Sequence, residues 1–141
     1  MRFEDFIRAK KVRRAEPDMQ LSRSLMKMSD NHIKSADELK LSDITSSTIM
    51  ATCYEALREI VEAITAKEGF KVYSHEAFTL FLREMGEDMI SSKFDRFRRI
   101  RNNINYYGKP IDASSVKVHR QEIEKTIEQL KERHLKDIRA P

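Results

Sequence analysis

ITSSTIMATCYEALREIVEAITAKEG, residues 44–69, is the stretch that decides the fold. Met50, Cys53, Tyr54, Leu57, Ile60, Val61 and Ile64 recur in it at steps of three and four, which lays one apolar stripe along a helix. The spacing predicts a helix over 44–68. Asp43 is the expected N-terminal cap, and Gly69 sits where a left-handed C-terminal cap belongs.

Outward from this helix the same period continues. Toward the N-terminus, Leu21, Leu25, Met28 and Ile33 predict a helix over about 18–39, with Pro17 either starting it or ending the segment before it. Before it, MRFEDFIRAKKVRR (residues 1–14) sets Phe3, Phe6, Ile7 and Val12 among basic residues. It reads as a basic amphipathic helix over 2–15. Toward the C-terminus, Ser74 caps a short helix carrying Ala77, Phe78, Phe81 and Met85 and stopped by Gly86. A helix over 88–107 follows, with Ile90, Phe94, Phe97, Ile100, Ile104 and Tyr107 on one face, ended by Gly108 and Pro110. The last helix, 113–138, carries Val116, Ile123, Ile127 and Leu130.

Composition agrees with this reading. Only three Gly and three Pro occur in 141 residues, too few for the many turns of a β-rich fold. The expected fold is all-α, an up-and-down bundle of about five helices in one domain over 1–141, with 18–138 as the bundle core. That length supports a core without staples. One cysteine, Cys53, excludes an internal disulfide and a cysteine-based zinc site. The four histidines, His32, His75, His119 and His134, have no metal-ligand spacing, so no metal or cofactor is expected. The opening residues lack the apolar run of a signal peptide, and no stretch has the ~18 consecutive apolar residues of a membrane span. A reducing cytoplasm is the expected compartment, with no membrane partner. The net charge of +4 is a small excess on 27 basic and 23 acidic residues, and by itself it does not imply nucleic acid.

The segment richest in chemistry is FDRFRRIRNNINYYGKP, residues 94–110. Arg96, Arg98, Arg99 and Arg101 lie within six residues of one helix and cannot share a face. Arg98 and Arg99 should point away from the apolar stripe. Arg101, four residues after Phe97 and three before Ile104, should lie at its edge, with Asn105 one turn above. A cation beside an apolar seam needs a carboxylate, a carbonyl or a ligand. One reading pairs Arg101 with a nearby Asp or Glu. The other makes Arg101, Asn102 and Asn105 a cleft for an anion, with Arg98 at its rim. Asn102, Asn103 and Asn105 weigh toward the second, because Asn is a mediocre helix former.

The run Arg101-Asn102-Asn103-Ile104-Asn105-Tyr106-Tyr107 resembles the signature of the HEPN superfamily. That signature is an Arg, a polar residue, and a His four to six residues after the Arg, near the end of a long helix. TCYEALREIVEAITAKEGFKVYSHEAFTLFL, residues 52–82, resembles the family's middle helices. The resemblance covers about residues 18–135. It implies a four- to five-helix bundle that dimerises through its Arg-bearing helices. It further implies a metal-independent ribonuclease of the toxin type, or an inactive RNA-binding or interaction module, in some cases beside a small nucleotidyltransferase partner. The signature's His is missing, and Tyr106 stands five residues after Arg101. A phenol with pKa near 10 is a poor base at pH 7. If a catalytic pair survives it is Arg101 with Tyr106, and Arg98, Asn102, Asn105 and Tyr107 are the candidate substrate contacts. The primary expectation is therefore a module that binds RNA or nucleotide, a degenerate ribonuclease with little or no cleavage. The alternative is a catalytically inactive protein–protein interaction module that forms a helical homodimer through the aromatic face of helix 88–107. That homodimer is expected under either reading, because one chain should have trouble covering this face and the 50–64 stripe together.

Overall fold

The computed structural model of the protein describes residues 2–138. Six helices and two short strands follow one another as α1 (Phe3–Arg8), β1 (Val12–Arg14), α2 (Met19–Asp37), α3 (Ser46–Glu68), β2 (Phe70–Val72), α4 (His75–Glu84), α5 (Asp88–Tyr107) and α6 (Ala113–His134). The protein is mostly helical, as its periodicity requires. α3 is the central element and packs against α2, α4, α5 and α6. Its whole expected stripe is buried, from Met50 and Cys53 to Ile64. The expected apolar residues of α6, Val116, Ile123, Ile127 and Leu130, are buried too.

Three local expectations are corrected. The basic segment 2–15 is not one helix. α1 stops at Arg8, Lys10 adopts a left-handed φ of +61°, and residues 12–14 become a strand. β1 pairs antiparallel with β2 in the register Val12↔Val72, Arg13↔Lys71 and Arg14↔Phe70. Those backbone groups have partners across the chain rather than along a helix. The amide of Ala15 donates to Gly69 O at 2.8 Å, that of Tyr73 to Lys11 O at 2.8 Å, and that of Asp18 to Ala66 O at 2.9 Å.

α2 is helical as expected, but its inward face is turned by one position. Ser22, Met26, Ser29 and Ala36 are buried, while Leu21 and Met28 are 38 % and 46 % exposed. The Ser22 hydroxyl donates to Ala63 O and the Ser29 hydroxyl to Ala56 O, both at 2.8 Å. Small side chains on both helices permit close approach, and the two hydroxyls are satisfied by α3 carbonyls. Hydropathy alone misplaces a seam of that kind. His32 reaches across the same pair of helices to Glu59 at 2.6 Å. Burial raises the pKa of Glu59, and His32 opposes that shift.

Asp43 does not cap α3. Thr45 occupies the N-cap, and an Asp43 carboxylate oxygen accepts from the Ala113 amide at 2.9 Å, tying the α5–α6 connection to the start of α3.

Gly69 is where the sequence places it, with φ +85° after the last turn of α3. A Cβ there would stand 2.8 Å from Ala15 O. Gly69→Ala is expected to cost about 1–3 kcal/mol for the left-handed backbone alone, plus the displacement of the β1 connection. Chemical denaturation should show this loss, and hydrogen exchange should show the amides of Ala15 and Tyr73 losing protection. A change under about 0.5 kcal/mol, the range of an ordinary surface substitution, would contradict the role given to this turn.

Candidate functional site

α5 begins with Asp88 in its first turn and ends at Gly108 in the left-handed conformation, φ +60°. The first half of its apolar face is covered within one chain. Phe94 and Phe97 are fully buried and Ile90 nearly so, whereas Ile100 and Ile104 are half-buried and Tyr107 is 71 % exposed. One chain was expected to have trouble covering both this face and the α3 stripe. The chain buries the stripe and the first half of the face, where α3 itself packs against α5, and leaves the end of the face open.

The four arginines divide sharply. Arg96 pairs with Glu122 at 2.6 Å, Arg98 with Asp95 at 2.8 Å, and Arg99 with the same carboxylate at 2.9 Å. Arg101 has no carboxylate partner among the described residues. Its Nη1 donates to Asn102 Oδ1 at 3.1 Å. Its guanidinium carbon lies 5.6 Å from the centre of the Tyr54 ring and 5.9 Å from that of Tyr106. Tyr54 is buried and Tyr106 is 69 % exposed. The cation thus rests against one ring from the core and one ring from the surface, each contact worth about 0.5–2 kcal/mol. Its other nitrogens have no acceptor among the described residues.

Of the residues expected from sequence, Arg101, Asn102 and Tyr106 come together. Arg98 is held by Asp95 on the side facing α4, in a polar hollow shared with Glu76, Arg83 and Arg99. Asn105 and Tyr107 are exposed and make no side-chain hydrogen bond among the described residues.

Sequence reasoning missed two members. Tyr54 was assigned only to the core stripe, and His75 was set aside as outside the motif. The Tyr54 hydroxyl lies 3.0 Å from His75 Nδ1, and their rings stack with centroids 6.0 Å apart. His75 therefore meets Arg101 through a shared aromatic neighbour. Residue separations of 21 and 26 carry no local signal, so no spacing rule finds this contact. A second guanidinium, that of Arg58, is neutralised by Glu55 at 2.5 Å and by Glu62 on its own helix.

The electrostatics follow from this packing. Burial first, then the positive charges of Arg101 and Arg58, lower the pKa of His75. Burial raises that of Tyr54 against the opposing field of Arg101. The site at neutral pH is then a neutral phenol, a neutral imidazole and one uncompensated guanidinium. Cys53, one residue before Tyr54, is buried with its thiol pushed up to about 11, which makes it inert. Among the described residues no three His, Cys, Asp or Glu side chains converge as metal ligands. No helix there is long and apolar enough to cross a membrane.

A stability prediction follows. Because the folded-state pKa of His75 lies below its ordinary value of 6.5, the unfolded chain binds more protons as pH falls through that value. Stability is therefore lost on acidification through that window. His119 shifts in the same direction, by burial and then the charge of Arg96. The melting temperature of wild type should fall between about pH 7.5 and 5.5, and His75→Gln should fall less. Identical pH profiles for the two proteins would remove His75 from this account.

Neither a protein-family model nor a curated protein sequence matches the chain.

Proposed function

We propose that this protein is a helical module that binds single-stranded RNA or nucleotide through Arg101, with Asn102 beside it and Tyr106 as a stacking surface. The observation that carries the reading is the state of Arg101, half-buried at a helix edge without a carboxylate in a chain whose neighbouring arginines are all paired. A guanidinium presents a planar fork that fits two phosphate oxygens and stays charged at any working pH. An exposed tyrosine at its side suits an unpaired base. The asparagine amide adds neutral hydrogen bonds to sugar or base edges.

The resemblance of residues 101–107 to the HEPN signature supports the same reading and assigns the chain the place of a degenerate nuclease. His75 is an imidazole near the cation, but its Nδ1 is engaged by Tyr54 and it sits on another helix from the signature. The expected activity is binding with little cleavage, beside a nucleotidyltransferase as a candidate partner. Fluorescence anisotropy with a labelled single-stranded oligoribonucleotide tests the core of this proposal. Binding should weaken with salt, as phosphate contacts require, and should fall in Arg101→Ala. Equal affinity in wild type and variant refutes it. RNA cleavage by wild type that disappears in Arg101→Ala would instead restore the site to catalysis.

The alternative, an interaction module that forms a homodimer, is favoured by one observation. Tyr106 and Tyr107 stand side by side at the C-terminal end of α5, 69 % and 71 % exposed. Light scattering at tens of micromolar decides it, since a protein that is monomeric there does not pair through this surface.

A further inference from the structure

A second positively charged surface lies at the N-terminal part of the fold. The unit formed by α1, β1 and the end of β2 encloses a groove of about 540 Å³ lined by Ile7, Lys10, Val12, Arg13, Arg14 and Tyr73. Its floor is apolar: Val12 is buried and Ile7 half-buried. Its rim is cationic, and Tyr73 is 62 % exposed at its edge. Lys10 and Arg13 have no acidic partner among the described residues. Arg14 is only loosely held, 3.6 Å from Glu4, with its guanidinium 5.7 Å from the Phe70 ring. Across the two-stranded sheet Arg13 stands directly opposite Lys71. Like charges directly opposite each other destabilise a strand pair. Arg13 lines the groove, so an anion bound there relieves that repulsion.

We propose that this groove is a second nucleic-acid contact, which takes one unpaired base on Tyr73 and the flanking phosphates on Lys10 and Arg13. The occupant is single-stranded RNA, so the inference rests on the reading of Arg101 above and extends it. Charge complementarity and shape argue for it together. The apolar residues form a recessed floor rather than a projecting edge, which admits a flat ring and does not insert into a lipid surface. The groove is also near the first site along the chain: Tyr73 is followed by Ser74 and His75, and two Cα steps span at most about 7 Å.

The test measures binding of uridine monophosphate and of a labelled oligouridylate of about ten nucleotides, near the site sizes of other single-strand binders. The proteins compared are wild type, Tyr73→Ala, Tyr73→Phe, the double variant Lys10→Ala/Arg13→Ala, and Arg101→Ala. Tyr73→Ala should lower oligouridylate affinity about tenfold and weaken mononucleotide binding in the same direction, and Tyr73→Phe should restore both. The double variant should flatten the logarithmic salt dependence by about 1.4, which is two single-strand phosphate contacts. These positions are exposed, so thermal melts should match wild type or, where Arg13 is removed from opposite Lys71, lie slightly above it. Unchanged oligouridylate binding in both groove variants overturns the proposal, and if Arg101→Ala still weakens binding the first site survives alone. The converse, loss in the groove variants with Arg101→Ala unaffected, keeps the groove and removes the first site. Binding to phosphatidylserine vesicles that the double variant abolishes, without an effect on RNA, reassigns the groove to a lipid surface and overturns the proposal.

Discussion

Arg101→Ala is expected to weaken binding of single-stranded RNA by about 10–100-fold while costing about 1–3 kcal/mol of stability. The two halves of this result have different origins. Hydrogen bonds to a charged group are worth about 1.5–3 kcal/mol when the partner lacks a substitute, and Arg101 is the only unpaired arginine of the 96–101 cluster. The stability term is moderate because no carboxylate is left behind. Removing one partner of a buried ion pair costs about 3–5 kcal/mol, but here the variant loses only the contacts with Tyr54, Tyr106 and Asn102. Arg101→Lys should bind with intermediate affinity, since it keeps the charge and loses the planar fork. The outcome that contradicts this account is a large fall in melting temperature with RNA affinity intact, which would make Arg101 a structural residue.

Phe94→Ala should cost about 3–5 kcal/mol, a large part of the 5–15 kcal/mol that holds a domain of this size together. Phe94 has no exposed surface. Its ring lies 5.6 Å from Tyr54 of α3 and 6.3 Å from Phe78 of α4, so it joins three helices at one point. The cavity left by truncation opens directly beneath Tyr54, the ring that supports Arg101 and bonds His75. Thermal unfolding should shift down by about 10 °C or more. In the destabilised protein RNA affinity should fall less than in Arg101→Ala, because the guanidinium keeps its charge and loses only its platform. A loss of stability below about 1 kcal/mol would mean that α5 does not dock on α3 and α4 through this residue.

How much of this was legible in the sequence depends on the range of the interaction that decides each element. The α3 stripe, the left-handed Gly69, the stop at Gly108, the bounds of α5 and the inward residues of α6 all come from interactions within a turn or two, and there periodicity and cap chemistry were sufficient. The strand at Val12–Arg14 was not visible, because its hydrogen bonds go to residues 69–73 and nothing in a basic, amphipathic run announces them. The α2 face was misread by one position because its seam is made with serines, whose burial depends on carbonyls of Ala56 and Ala63 in another helix. Arg101 shows the same division. Its edge position on α5 followed from helical spacing. That it lacks a carboxylate, and that Tyr54 and His75 join it, depended on which side chains α3 and α4 bring to that edge.

The sequence by itself determined that this protein is a set of amphipathic helices with an arginine and asparagines at the rim of one of them. Those properties are written in steps of three and four along the chain. Arg98 and Arg99 are neutralised by Asp95 within one turn of their own helix, as spacing allows. Only the tertiary structure decided that Arg96 meets Glu122 of α6 and that, among the described residues, no carboxylate reaches Arg101. Those outcomes depend on distances between residues that the chain itself keeps far apart, and packing fixes those distances.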